Sequence, residues 1–214
     1  MSQRAVLFDF GGVLIRMDWD GYDTFGERWN LPPGALVDAF YRTPEWHAIE
    51  TGRGNWDTWQ RGVEQRLAPY LNSDPRAEVE ALLEAWYAQP WQYHRPNFEL
   101  AQQLQRAGHL VGVLSNAPDD LRDRFLSNLP VEIDWDAIIV SGEIGLRKPD
   151  PRIFEYAARE IGLPPEQCFF IDDLEENVSG DQAVGMSGYH FTRNNYGALR
   201  IALRARGIDL RTRP

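Results

Sequence analysis

The sequence predicts an α/β protein with a doubly wound parallel sheet and an inserted α-helical segment. Short apolar runs that are rich in β-branched and aromatic residues recur along the chain, as expected for strands covered on both faces. Amphipathic stretches of about 10–15 residues lie between these runs, which indicates helices that connect parallel strands. Residues 16–95 interrupt this alternation with helical patterns and no strong strand.

Five runs are predicted to be strands of the sheet: Ala5–Phe10, Leu110–Leu114, Ala137–Val140, Cys168–Ile171 and, more weakly, Gly188–Phe191. The helices predicted between and after them are Asn97–Ala107, Asp119–Asn128, Pro151–Ile161, Leu174–Val184 and Asn195–Arg206. Pro151 suits the first turn of a helix, and Gly108 and Gly162 stand where helices end.

Residues 16–95 are predicted to form a helical cap, with helices near Pro33–Tyr41, Trp56–Tyr70 and Arg76–Ala88. Seven of the eight tryptophans fall within it. A small bundle needs large side chains to close its core, and some of these rings could also line a pocket that faces the sheet. The predicted domains are therefore an α/β core of residues 1–15 and 96–214, and a cap of residues 16–95.

The composition of the chain disfavours nucleic acids and membranes as partners. The chain has 214 residues with 32 acidic and 22 basic side chains, a net charge of −10, which disfavours binding to nucleic acid or to an anionic membrane. No apolar run approaches the roughly 20 residues that span a bilayer, and Asp9 interrupts the apolar N-terminus too early for a signal peptide. The single cysteine, Cys168, forms no internal disulfide. We therefore expect a cytoplasmic protein.

Polar side chains follow the predicted strands where the strands end. Ligands of an open parallel sheet bind beyond the carboxyl ends of its strands. A carboxylate, a hydroxyl beside an amide, a lysine and paired carboxylates are expected to meet at that edge. These side chains are Asp9, Ser115 and Asn116, Lys148, and Asp172 and Asp173. Lys148 is the only lysine beside 21 arginines, which suggests that its position needs a compact ammonium.

Four motifs in order, VLFDFGGVL, VLSN, GLRKPDPRIF and FFIDD, resemble those of the haloacid dehalogenase (HAD) superfamily of hydrolases. The resemblance covers residues 4–15 and 97–192, and residues 16–95 stand where that family carries a cap. It implies a Rossmannoid core with a helical cap and a phosphatase-like activity on a small phosphorylated metabolite. The expected assembly is a monomer or a homodimer.

The resemblance also implies roles for the catalytic residues. Asp9 would be the nucleophile that forms an aspartyl-phosphate, and Ser115 and Asn116 would hold the phosphoryl oxygens. Lys148 would neutralise both the nucleophile and the phosphoryl group. The chemistry agrees, because a carboxylate can attack phosphorus only when positive charge offsets the repulsion between two anions.

The implied cofactor is Mg²⁺, held by Asp9, the backbone carbonyl of Gly11, Asp172 and Asp173, with Asp173 as the better direct ligand of the pair. Mg²⁺ prefers a few carboxylates together with water and phosphate oxygens. The four histidines show no spacing typical of metal ligands and are interpreted as structural or surface residues: His47, His94, His109 and His190.

Gly11 departs from the phosphatase pattern of the family, which usually has a second aspartate there as general acid and base. Glycine keeps the carbonyl but removes the acid, so an acidic leaving group is expected to be cleaved best. The subgroup of the family with glycine here includes a sugar-1-phosphatase, which makes glucose 1-phosphate the first substrate to consider. His47 or Glu50 of the cap could supply a proton instead.

Two other functions remain open from the sequence. Haloacid dehalogenases of the same superfamily also lack the second aspartate and use the same nucleophile without a metal, but a carboxylate pair without a cation would repel an anionic substrate. The absent acid at Gly11 also fits a catalytically weak protein that binds a phosphorylated ligand or a partner. Each polar residue taken singly could equally be a helix cap or a solvated side chain.

Overall fold

A five-stranded parallel sheet forms the centre of the protein. The computed structural model describes residues 3–17, 19–72, 74–126, 130–192 and 195–211. The strands are β1 (Ala5–Phe8), β2 (Leu110–Ser115), β3 (Ala137–Val140), β4 (Cys168–Asp172) and β5 (Ser187–His190). Their order is β3-β2-β1-β4-β5, and all four pairings are parallel. The predicted α/β fold with a parallel sheet is confirmed.

Helices cover both faces of the sheet. They are α6 (Arg95–Arg106), α7 (Leu121–Leu126), α8 (Ser141–Ile144), α9 (Pro151–Glu160), α10 (Glu175–Gln182) and α11 (Tyr196–Ala205), with a 3₁₀ turn at Pro165–Gln167. Alternation along β1 sends Val6 and Phe8 into one apolar cluster with Phe98 of α6, and Leu7 into a second cluster with Phe154 of α9. A strand buried on both faces explains why its sequence reads as a continuous apolar run.

The described residues between β1 and α6 form five further helices: α1 (Trp19–Glu27), α2 (Ala35–Phe40), α3 (Pro44–Ile49), α4 (Trp56–Leu67) and α5 (Pro75–Tyr87). A 3₁₀ turn at Ala68–Tyr70 follows α4. These helices enclose an apolar cluster of their own, which includes Phe40, Trp59 and Leu82. Trp91 and Tyr93, by contrast, pack against the cluster under the sheet.

Three helices, α1, α3 and α8, were not predicted. Helix α1 contains Gly21 and Gly26, and its apolar pattern is short, so propensity alone does not favour it. Helix α3 is only six residues long and starts from Thr43, whose Oγ1 accepts a hydrogen bond from the Trp46 N–H at 3.1 Å. Part of the predicted helix Asp119–Asn128 lies outside the described residues, and α7 begins at Leu121.

Candidate active site

Asp9 lies directly after β1 at the carboxyl edge of the sheet. Its backbone N–H continues the pairing with β4 by donating to the Ile171 carbonyl at 2.8 Å. The backbone N–H of Phe10 donates to Asp9 Oδ1 at 2.7 Å. The residue is 7% exposed, so its carboxylate is held in a fixed orientation at the floor of the site.

Lys148 reaches this carboxylate from the loop after α8. Its Nζ lies 2.8 Å from Asp9 Oδ1 and donates to Asp172 Oδ2 at 2.7 Å and to the Leu114 carbonyl at 2.9 Å. Burial alone lowers the pKa of Lys148, but the charges of Asp172 and Asp9 outweigh burial and leave this pKa raised. The side chain is therefore an ammonium that joins the two carboxylates.

Asp172 is fully buried, and its carboxylate accepts hydrogen bonds from three groups of the protein. The Leu174 N–H donates to Oδ1 at 2.8 Å, and Asn177 Nδ2 lies 3.0 Å from Oδ1 and 3.1 Å from Oδ2. Lys148 completes the set. Asn177 was not predicted, because nothing in its local sequence pattern shows that the first turns of α10 return to the end of β4.

Asp173 is half-buried and completes a group of three carboxylates. Asp9, Asp172 and Asp173 each offer an oxygen within 4.8 Å of the others. Burial raises the pKa of Asp173 to about 6, with repulsion from Asp172 as a further cause. Burial also raises the pKa of Asp9 well above its ordinary value, although Lys148 opposes the effect. Crowded carboxylate oxygens with raised pKa values form a donor set that suits a hard divalent cation.

Gly12 allows Asp173 to approach the loop after β1. Its φ of +78° lies in the left-handed region, and a Cβ at this position would collide with the Asp173 carboxylate. Gly11, by contrast, has an ordinary φ, and a Cβ there would lie 3.4 Å from Met17 Cγ, which is ordinary contact. Gly11 was predicted as a site residue from the sequence, whereas Gly12 was not.

Asn116 makes a reciprocal pair of hydrogen bonds with the backbone of Lys148. Its Nδ2 donates to the Lys148 carbonyl at 3.0 Å, and the Lys148 N–H donates to its Oδ1 at 2.8 Å. Asn116 therefore positions the loop that carries the lysine. Ser115 is 2% exposed at the end of β2. The contacts of these two residues with phosphoryl oxygens stay predictions.

Glu50 and His47, the two residues of the predicted cap that could supply a proton, lie at the C-terminal end of α3. Glu50 is buried, and its Oε2 is 3.1 Å from Arg147 Nη2, next to Lys148 in sequence. Burial raises the pKa of Glu50, and Arg147 partly offsets the effect. Among the described residues, the only group of His, Cys, Asp and Glu side chains close enough to hold a metal is the three carboxylates, so no histidine takes part.

Comparison with known proteins identifies the family. Residues 3–185 match the haloacid dehalogenase-like hydrolases, and the chain belongs to this family. A phosphatase of Mycobacterium tuberculosis is 28% identical over 91% of this chain and 89% of its own. A sesquiterpene phosphatase of Aspergillus oryzae is 29% identical over 88% of this chain and 90% of its own.

Solved structures confirm the fold. A HAD family enzyme from Bacteroides thetaiotaomicron, in complex with magnesium and inorganic phosphate, superposes with a TM-score of 0.66 at 22% identity, over 91% of this chain and 96% of that one. A dehalogenase superposes with a TM-score of 0.68 at 20% identity, over 91% of this chain and 87% of that one. In the part of the chain that is described, no helix has the length and apolarity to cross a bilayer.

Proposed function

We propose that the protein is a Mg²⁺-dependent phosphomonoesterase that hydrolyses a small phosphorylated metabolite through an aspartyl-phosphate on Asp9. The observation that carries the proposal is the position of the Lys148 ammonium, 2.8 Å from Asp9 and 2.7 Å from Asp172, beside a third carboxylate. Full-length similarity to two phosphatases supports it.

Asp9 and Lys148 have different roles in the proposed hydrolysis. The Asp9 carboxylate attacks phosphorus, and the bond from phosphorus to the ester oxygen breaks, with the electron pair leaving on that oxygen. Water then attacks the aspartyl-phosphate, which releases inorganic phosphate and regenerates Asp9. Lys148 holds Asp9 in line and reduces the repulsion between the carboxylate and the incoming phosphate.

Asp9, Asp173 and the Gly11 carbonyl would hold the metal. Both oxygens of Asp172 already accept hydrogen bonds from Lys148 and Asn177, so Asp173 is better placed as a direct ligand. Mg²⁺ would supply positive charge against the phosphoryl oxygens. We also propose that residues 16–95 act as the cap that covers the site during the reaction.

Haloacid dehalogenation is the second candidate function, and it is favoured by a structural neighbour named as a dehalogenase and by a 27% identical (S)-2-haloacid dehalogenase of Burkholderia cepacia. The latter match covers only 45% of this chain. The carboxylate cluster of Asp9, Asp172 and Asp173 favours the phosphatase, because its charge repels a carboxylate substrate unless a cation is bound.

The deciding experiment measures phosphate release from p-nitrophenyl phosphate with Mg²⁺ and with EDTA. We expect Mg²⁺-dependent release that Asp9→Asn lowers by on the order of 10⁴-fold or more, because the near-isosteric change removes the nucleophile. Asp57→Asn, an exposed aspartate in the first turn of α4, serves as the matched control. Halide release from a 2-haloacid in EDTA, without phosphate release, would establish the dehalogenase instead.

A further inference from the structure

An aromatic pocket lies where helices α1 to α5 face the loops that follow β1 and β2. Its volume is about 260 Å³. Nine aromatic side chains line it, including Trp46, Trp56, Trp59, Trp86 and Trp91. The side formed by the loop after β1 contains Ile15, Arg16 and Met17. The side formed by the loop after β2 contains Pro118.

The pocket adjoins the catalytic loops through two contacts, although Asp9 and Lys148 do not line it. Met17 lies against Gly11, two residues after the nucleophile. Trp91 packs edge-on against Phe10 with ring centroids 5.2 Å apart, and the Phe10 N–H holds Asp9. The pocket therefore lies beside the loop that carries Asp9, within reach of the organic group of an ester bound there.

Three of the polar groups on these rings are used within the protein. Trp59 Nε1 donates to the Phe40 carbonyl at 2.8 Å, and the Tyr22 hydroxyl donates to the Tyr41 hydroxyl at 3.1 Å. Burial raises the pKa of Tyr22 to about 12, as a dry environment should. These three rings therefore offer a ligand mainly their apolar faces.

The pocket offers few side chains that could bind a polyhydroxylated molecule, chiefly Arg16, Gln89 and Gln92. None of the described residues that line it is an aspartate or a glutamate. One of its two arginines, Arg124, stacks over the Trp91 ring at 5.4 Å. Sugar hydroxyls that lay against the aromatic rings would lose their hydrogen bonds with water without regaining them there, which is unfavourable.

The size of the pocket suits a group larger than one ring. A cavity of about 150 Å³ is enough to bind benzene, and this one measures about 260 Å³. A second hollow of about 540 Å³ shares four lining residues with this pocket and therefore adjoins it: Trp56, Trp59, Tyr87 and Arg124.

We propose that the aromatic pocket binds the organic group of the substrate, and that this group is an apolar ring system or branched hydrocarbon rather than a sugar. The inference rests on the proposed phosphatase activity, because it assumes that the substrate is a phosphate ester bound at Asp9. It specifies the chemical class of the organic group of that ester. It differs from the sugar phosphate that the resemblance suggests.

The test compares the kcat/KM of the Mg²⁺-loaded protein for 2-naphthyl phosphate, phenyl phosphate and glucose 1-phosphate. The two aryl esters have leaving groups of similar acidity, so their comparison isolates the added apolar surface. We expect the naphthyl ester to be preferred over the phenyl ester by about tenfold, and glucose 1-phosphate to be the poorest of the three.

Two exposed cap tyrosines provide a matched pair of variants. Tyr87 lines the pocket and is 51% exposed, whereas Tyr70 does not line it and is 46% exposed. We expect Tyr87→Ala to remove most of the naphthyl preference through a higher KM, and Tyr70→Ala to retain it. Glucose 1-phosphate as the best substrate, or a naphthyl preference untouched by Tyr87→Ala, would overturn the inference.

A binding measurement separates this inference from the proposed function. If no ester is hydrolysed, the phosphatase proposal fails, and calorimetric titration with 2-naphthylmethylphosphonate and methylphosphonate then decides the pocket assignment. Tighter binding of the naphthyl compound that Tyr87→Ala abolishes would support the pocket. Equal affinity for the two phosphonates would overturn it.

Discussion

Lys148 explains how three carboxylates can share one edge of the sheet. Its Nζ lies within 2.9 Å of two carboxylate oxygens and a backbone carbonyl, and it sits 5.0 Å from the centre of the Phe170 ring. These partners surround a compact ammonium, and a planar guanidinium would displace one of them. The contacts of Nζ therefore give a physical reason for a lysine, and not an arginine, at this position.

Gly12 provides the first prediction at the scale of a residue. Gly12→Ala should lower the affinity for Mg²⁺ by roughly 10–100-fold, because the new Cβ collides with Asp173 and moves its carboxylate. Calorimetric titration of the purified variant with Mg²⁺ measures the effect.

Gly162→Ala is the control for this substitution. Gly162 has φ +77°, but no heavy atom of the described part of the chain lies within 4 Å of a Cβ added there. Both variants should lose about 1–2 kcal/mol of stability from the left-handed backbone, and only Gly12→Ala should lose the metal. Equal Mg²⁺ affinity in the two variants would show that Asp173 does not need Gly12.

At the scale of elements, the contact between α10 and β5 contains an unpaired acid. Asp181 of α10 is fully buried, neither of its oxygens has a hydrogen-bond partner among the described residues, and its carboxyl lies where a Cβ at Gly188 of β5 would be. Burial raises the pKa of Asp181 to about 7, and the charge of Asp172 adds to the effect. The folded protein thus keeps a proton here that the unfolded chain has released.

This difference makes stability depend on pH. Because the folded-state pKa is the higher one, the contribution of Asp181 is fully present below about pH 4 and is lost as the pH rises to about 7. We expect Asp181→Ala to raise the free energy of unfolding at pH 8 by a few kcal/mol relative to wild type, and by less at pH 5.

Urea unfolding at the two pH values measures the effect, with Asp57→Ala, an exposed aspartate, as control. A constant difference between Asp181→Ala and wild type at both pH values would mean that Asp181 is ionised throughout.

The elements that the sequence predicts best are those whose pattern is local. The strand runs and helix α9, with Pro151 in its first turn, follow from apolar periodicity and turn residues. Helix α1 was not predicted because its two glycines have low helix propensity. The burial of Tyr22 and Phe25 in the cluster of helices α1 to α5 offsets that low propensity. The unpaired Asp181 and the role of Asn177 depend on contacts between distant segments, which no local pattern contains.

At the scale of the whole molecule, the apolar cluster of helices α1 to α5 is separate from the two clusters that cover the sheet. Met17 packs against the helical cluster and against the sheet cluster that contains Phe8. Glu50 forms an ion pair with Arg147 between the helical segment and the sheet. Gly52 lies so close to the Gly142 carbonyl that a Cβ at Gly52 would collide with it. Because each cluster keeps its own core, one can move against the other without exposing much apolar surface.

Tryptophan emission should report such a movement. Seven of the eight tryptophans lie within residues 16–95, and the eighth, Trp135, packs against Phe8 and Phe125 in the sheet cluster. Saturating orthovanadate with Mg²⁺, a mimic of the transferred phosphoryl group, is expected to shift the emission if closure excludes water from the pocket. The Trp135→Phe variant should retain the shift, because its remaining tryptophans all lie in residues 16–95. Unchanged emission in wild type, at vanadate concentrations that inhibit turnover, would show that the helical segment stays fixed while the phosphoryl site fills.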